Sequence, residues 1–336
     1  MVSTAASGAP AVDPGAGAAT LADDYRVLTE GTGLLDRSER GKLTLTGEQA
    51  AEFLQGQVSN DIEALTPGSG CYAAFLTNKG KMLGDLRVLQ TGEDLLLDCE
   101  RVALQGLFNL IRRFSIGYGV ELHKRTLERD LLSLIGPGSA QVVPGGEELA
   151  QVEHAHRSQE VDGVPVRAIR TEEGIDLLVA SGEPSQRVRA ALAGRGARAV
   201  GEHAAEALRV ERGRPRYGID LDEGVIPQEA ALNERAVSFT KGCYVGQETV
   251  ARLHYRGRPN RRLCGLALSA PAPTGARLGL GEREVGHVGS AVVHPRLGAI
   301  ALALVRREAG EGAELTVGDR GVTAQILPLP FAVDRG

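Results

Sequence analysis

Alternation of apolar and polar residues first becomes regular at Lys42 to Thr46, where Leu43 and Leu45 share one face of a predicted strand. Thr46-Gly47-Glu48-Gln49 follows as a capping box for a helix carrying Ala50, Phe53 and Leu54. Pro67-Gly68-Ser69-Gly70 is a turn, Cys71 to Leu76 a strand, and Asn78-Lys79-Gly80 the bend into a strand from Met82 to Leu89. A break at Thr91-Gly92 precedes the short run Leu95-Leu96-Leu97. The 3.6 period then appears from about Arg101 to Phe114, with Leu104, Leu107, Phe108 and Ile111 on one stripe. The same plan returns after Asp130: strands at Leu131 to Ile135, Val164 to Ile169 and Ile175 to Val179, then a helix from Pro184 to Leu192. A helix from Glu202 to about Arg212 leads into a long aperiodic stretch ending near Cys243, and such stretches inside compact proteins are usually functional or disordered. From Arg262 onward the pattern becomes short β-like runs between Gly and Pro, which predicts a small barrel. The pattern gives an α+β protein with two antiparallel, ferredoxin-like lobes and a C-terminal β-barrel.

This pattern divides the chain into a disordered tail over residues 1–30, lobes over 31–125 and 126–240, a connection over 241–261 and the barrel over 262–336. The tail assignment rests on the first 22 residues, whose Ala, Gly, Pro, Ser and Thr offer little to bury, with order expected near Leu34. No Lys or Arg precedes an apolar core there, so it does not resemble a secretory signal. The 336 residues exceed what one core serves. With 38 basic and 43 acidic residues the net charge is −5, which argues against a protein built to coat nucleic acid. No apolar run has the length of a bilayer span. Cys71, Cys99, Cys243 and Cys264 are too scattered for a zinc or redox motif or a disulfide framework, so a reducing cytoplasm and no metal site are expected.

Packing explains Lys241-Gly-Cys-Tyr-Val-Gly-Gln-Glu248 least. Gly242 and Gly246 remove bulk beside Cys243, and Lys241, two residues away, would favour a thiolate. Unpaired cysteines are usually small buried apolar residues, but Lys241, Gln247 and Glu248 argue against burial here. This segment, continued by Val250-Ala251-Arg252, resembles the diagnostic motif of the YgfZ family of folate-binding proteins. Further matches run through Leu34-Leu35-Asp36, Leu54-Gln-Gly-Gln-Val-Ser-Asn-Asp61 and Asn78-Lys-Gly-Lys-Met82. More distantly the chain is similar to the aminomethyltransferase of the glycine cleavage system. The resemblance implies a three-lobed fold, tetrahydrofolate as ligand, and a role in assembling or repairing iron-sulfur enzymes, among them radical enzymes that modify tRNA. The alternative from another class is a tetrahydrofolate-dependent aminomethyl or methyl transferase.

Candidate site residues follow from both lines of argument. A pterin ring presents parallel N–H donors that a carboxylate can accept, and Glu211, at a helix end, is the candidate acceptor; an ordinary surface pair with Arg214 or Arg216 is the competing assignment. Similarity to the transferase's pterin-binding stretch extends over Glu211 to Asp220 and makes Tyr217 an aromatic wall. Asp85 interrupts an apolar strand and, by the resemblance, occupies the transferase's catalytic position, with Gly84 where an Asp-Asp pair has its first member; a proton-transfer role near a folate nitrogen follows. Arg252, within the cationic run that ends at Arg262, is assigned to the folate's anionic tail, and Lys241 is counted among the cofactor-binding residues. Tyr255 is the one aromatic interleaved in that run, too few for stacking bases, so stable nucleic-acid binding is not expected. His154, His156 and His287 have no ligand-type neighbours and are expected at the surface.

Overall fold

The computed structural model describes residues 14–333. A five-stranded antiparallel sheet has the spatial order Ser69–Leu76, Met82–Gln90, Leu95–Cys99, Gly41–Thr46 and Glu121–Lys124. Its apolar face packs under the helices Ala50–Gln57 and Arg101–Phe114, with Phe53, Leu54, Leu104, Leu107 and Ile111 fully or nearly buried. A six-stranded sheet has the order Arg198–Ala199, Gly33–Asp36, Arg129–Ile135, Gly174–Ala180, Val164–Thr171 and His156–Val161. Six further strands close a barrel: Arg261–Leu268, Gly298–Arg306, Arg283–His294, Arg277–Leu280, Glu314–Val317 and Val322–Leu327. The α+β lobes and terminal barrel are those expected from the patterning.

Several boundaries differ. The helix Pro14–Glu30 replaces most of the expected tail, and residues 1–13 lie outside the described residues. Leu21, Tyr25 and Leu28 recur at helical spacing, and Tyr25 and Leu28 bury themselves against Ala204, Ala205 and Leu208 of the helix Glu202–Glu211. The strand Gly33–Asp36 crosses out of its assigned lobe to pair with Arg129–Ile135 in the second sheet. Conversely, residues 221–250 return to the first lobe, where Leu221, Val225, Leu232, Tyr244 and Val250 pack on Ala74, Leu76 and Met82. The expected capping box does not form: the helix begins at Ala50 with Gln49 as its cap and no side-chain cap bond. His154 and His156 are buried rather than exposed, because the strand His156–Val161 runs through what the sequence gives as surface connection.

The aperiodic stretch after Glu211 is fixed by side chains that bond its backbone. Asp220 accepts from the Arg216 amide at 2.9 Å and from both the amide and hydroxyl of barrel residue Ser290 at 2.7 and 2.8 Å. Glu229 pairs with Arg261 at 2.8 Å. These carboxylates satisfy turn backbone in place of helix or sheet and dock the barrel at the same time.

Candidate functional site

Polar residues interrupting the strands of both sheets converge where the two lobes face each other. On Met82–Gln90, Asp85 and Arg87 project from one face, two positions apart. Arg87 donates to Asp98 of the neighbouring strand at 2.9 Å and to Asp176 of the second sheet at 2.8 Å. Asp176 in turn accepts from Ser133 at 2.7 Å, and Asp98 pairs with Arg40 at 2.9 Å. Burial would raise the Asp98 carboxyl, but Arg40 and Arg87 hold it below the usual carboxylate range. A continuous buried ion-pair chain therefore joins the lobes.

Beside this chain lies a cavity of about 240 Å³ lined by Asp85, Tyr72, Tyr217, His154, Arg214 and Arg235, among others. A larger cavity of about 1100 Å³ adjoins it and contains Glu211 in its wall; Glu153, Thr171, Glu172, Glu173, Arg214 and Arg235 line both. Asp85 thus lines the smaller cavity and Glu211 the larger, and the two cavities share one wall. Among the described residues, Arg87 Nε, His154 Nδ1, Arg214 Nε and Arg235 Nε are buried without a hydrogen-bond partner, and all four side chains line the smaller cavity. Buried polar atoms left without a partner are costly. The cavity is thus walled by cationic and carboxylate side chains together, a polar setting for a ligand with both donors and acceptors.

Asp85 is 5% exposed and accepts a hydrogen bond from the Tyr72 hydroxyl. Burial raises its carboxyl to about 6, against the opposing bond from Tyr72. Since the folded pKa is raised, the folded state holds the extra proton between its unfolded value of 3.8 and about 6, so stability falls as pH rises through that window. The ionised form costs roughly 3 kcal/mol above it. Asp85→Asn is accordingly expected to melt higher than the parent at pH 8 and at an equal temperature near pH 3.5. Identical melting at both pH values would show that Asp85 is hydrated.

Glu211 is neither exposed nor paired with Arg214 or Arg216. Its Oε2 accepts from Tyr25 Oη at 2.6 Å and from His294 Nε2 at 3.0 Å, tying together the first helix, its own helix and the barrel. Burial would raise this carboxyl, but the bonds from His294 and Tyr25 hold it low. Both bonds fall on one oxygen, and the side chain remains in the wall of the larger cavity. Tyr217 lines the smaller cavity, positioned by Gly218 at φ 91°, where a Cβ would lie 2.6 Å from Val102.

Lys241, Cys243 and Arg252 line neither cavity. The assignment of Lys241 to a ligand is corrected by its geometry: the buried ammonium donates to the carbonyls of Gln55, Val58 and Asn60 at 2.5, 2.8 and 2.8 Å, using all three donors. It caps the carboxyl end of the helix Ala50–Gln57, where carbonyls lack helical partners and the dipole favours a cation. Burial pushes this ammonium down to about 8. Its charge acts on Cys71 of the neighbouring strand. Arg252 is exposed on the helix Gln247–Arg256 and lines neither cavity.

Cys243 is exposed on a loop held from three sides by the segments the sequence singled out. Lys241 ties the loop to residues 55–60. Gly246, at φ 87°, sits so close to the bend at Thr77–Gly80 that a Cβ would lie 2.5 Å from the Thr77 carbonyl oxygen. Asn60, which the sequence left without a role, donates to the carbonyls of Tyr72 at 2.8 Å and Arg235 at 3.2 Å, joining the loop's anchor to the cavity wall. Cys71, Cys99 and Cys264 are pushed up by burial to about 12, 12 and 11.

The residues missed by sequence reasoning are Tyr72, Arg87, His154, Arg235 and Asp176. Arg87 and Asp176 break apolar strand runs as Asp85 does, so the same signal could have found them. His154 and Arg235 carry no such mark, since both lie outside regular strands.

Residues 16–241 match the model of the GCVT N-terminal domain and residues 261–332 that of the glycine cleavage T-protein C-terminal barrel domain. An aminomethyltransferase of Rubrobacter xylanophilus is 29% identical over 318 residues, 92% of this chain and 85% of that protein. The tRNA-modifying protein YgfZ of Yersinia pestis is 30% identical over 313 residues, covering 89% and 92%. The crystal structure of the glycine cleavage aminomethyltransferase T from Bartonella henselae superposes with a TM-score of 0.80 over 93% of this chain and 89% of that one, at 24% identity. No helix among the described residues is long and apolar enough to cross a membrane. With both domains matched in order and the three-part architecture shared, the chain belongs to the glycine cleavage T-protein family.

Proposed function

We propose that this protein binds tetrahydrofolate between its two lobes and assists the assembly or repair of iron-sulfur enzymes through Cys243, as the resemblance to YgfZ proteins implies, with tRNA-modifying radical enzymes among its clients. The observation that carries this assignment is the display of Cys243: three separate sequence segments are spent on holding one exposed thiol outside the cavities, while Cys99 and Cys264 are buried and Cys71 is half-buried. A thiol so presented suits a soft metal or sulfur carried by a partner. Bound folate would supply a one-carbon carrier or a structural ligand; Glu211 would accept pterin N–H donors and Tyr217 would pack on the ring.

A second function, aminomethyl or methyl transfer, is favoured by the raised carboxyl of Asp85 in the cavity wall, poised to exchange a proton near neutral pH. The two are separated by supplying tetrahydrofolate and an aminomethylated lipoyl carrier protein. No methylene-tetrahydrofolate is expected; steady formation that is lost in Asp85→Asn would establish the transferase instead.

Folate binding itself is tested by calorimetric titration of the protein and of Glu211→Gln with tetrahydrofolate. The glutamine can keep its carbonyl oxygen toward Tyr25 and His294, so the fold is spared, while its amide turns a donor toward donors. A mismatch of roughly 1–3 kcal/mol, or about 5- to 150-fold in Kd, is expected. Equal affinity in the variant would remove Glu211 from the site, and absence of heat in the parent would remove folate from the proposal.

A further inference from the structure

The helix Gln247–Arg256 buries a single residue, Val250. Its remaining surface is largely unpartnered. Arg252, Tyr255 and Arg256 lie three and four positions apart on one face, all exposed, with Tyr255 67% exposed. The fold adds two rings to that tyrosine. Phe239, from the loop preceding Cys243, stacks on His254 with centroids 3.8 Å apart and planes at 16°. Tyr255 meets His254 edge-on at 4.8 Å and Phe239 at 6.3 Å. Among the described residues, Arg252, Arg256 and Arg258 form no ion pair or side-chain hydrogen bond. The helix's one acid, Glu248, sits in its first turn, at the far end from Tyr255. Arg258, Arg262 and Arg307 continue the cationic surface into a neighbouring groove of about 620 Å³, whose acid, Glu308, is paired with Arg283.

We propose that this face is a binding site for single-stranded nucleic acid, with a base stacking on Tyr255 beside the Phe239–His254 pair and phosphates running along Arg252, Arg256 and Arg258. Uncompensated arginines in a chain of net charge −5 are a local departure that a polyanion complements. An acidic polypeptide would satisfy the arginines but leave the exposed ring unused. A duplex would offer no unstacked base. The count of one interleaved aromatic, which argued from sequence against such binding, omits Phe239, which reaches the helix through tertiary packing. The proposal stands apart from the folate site, whose cavities contain none of these residues.

The test is fluorescence anisotropy of the full-length protein with a labelled mixed-sequence oligoribonucleotide, its DNA counterpart and the corresponding duplex, across a salt series. Tyr255→Ala is expected to weaken binding of the single strand roughly tenfold or more, and Tyr255→Phe to preserve it. The double change Arg252→Ala, Arg256→Ala should lower the slope of log affinity against log salt by about 1.4. Arg320→Ala removes an equal kind of charge from the barrel hairpin at the Leu268 end, remote from Arg261, and should change nothing. Preference for RNA or equal affinity for both single strands supports the site and tells whether the 2′-hydroxyl contributes. Equal affinity for duplex, no effect of Tyr255→Ala, full competition by polyglutamate, or no binding at low salt would each overturn it. Unchanged calorimetric titration with tetrahydrofolate in the same variants shows that any loss is not a failure of the folate site.

Discussion

Arg87→Leu is expected to destabilise the protein by about 3 kcal/mol, the cost of removing one member of a largely buried ion-pair chain. Among the described residues, Arg87 is the sole cation bonding Asp176 and one of two bonding Asp98, at 2.8 and 2.9 Å. Leucine replaces the aliphatic stem but leaves two carboxylates facing each other across the junction of the lobes. Because burial opposes ionisation of Asp98 and Arg87 no longer helps to offset it, the deficit should shrink as pH falls and that carboxyl takes up a proton. Urea unfolding at pH 7.5 and pH 5 measures both effects. Adding Asp176→Asn removes one orphaned charge and should restore part of the loss, since the amide can still accept from Ser133. A deficit below about 1 kcal/mol would mean that water reaches the carboxylates and that the chain of pairs behaves as surface pairs do.

Cys243→Ala should abolish the restoration of iron-sulfur enzyme activity in cells lacking the protein, while leaving unfolding free energy and tetrahydrofolate affinity nearly unchanged. The side chain is exposed, so its loss leaves no cavity, and it lines neither space between the lobes. The other thiols cannot substitute, because burial pushes Cys71 and Cys99 to about 12 and Cys264 to about 11. Alkylation at neutral pH should for the same reason label Cys243 first, which peptide mapping detects. Full rescue by the alanine variant would make the sulfur dispensable and reduce the motif to a backbone clamp. Loss of folate binding in that variant would instead place Cys243 in the ligand's path.

Local signals were sufficient where one residue's neighbours in sequence are also its neighbours in space. The helix Arg101–Phe114 follows from its stripe, the hairpin around Asn78-Lys79-Gly80 from its turn residues, and the barrel from short strands punctuated by glycine and proline. Asp85 was legible because a carboxylate in an apolar strand has few reasons to be there. Tertiary structure decided the rest, since it depends on direction and on distant partners. Two residues of separation put Lys241 beside Cys243 on paper, but its side chain turns to helix carbonyls more than 180 positions away in sequence. Glu211 could be placed at a helix end, yet Tyr25 and His294, its partners, come from the first helix and the barrel. The strand Gly33–Asp36 joined the second sheet because hydrogen-bond pairing follows available edges rather than order along the chain. Composition determined that this chain would build several cores; which polar groups would be trapped between them, and so where a ligand could sit, was fixed only when those cores met.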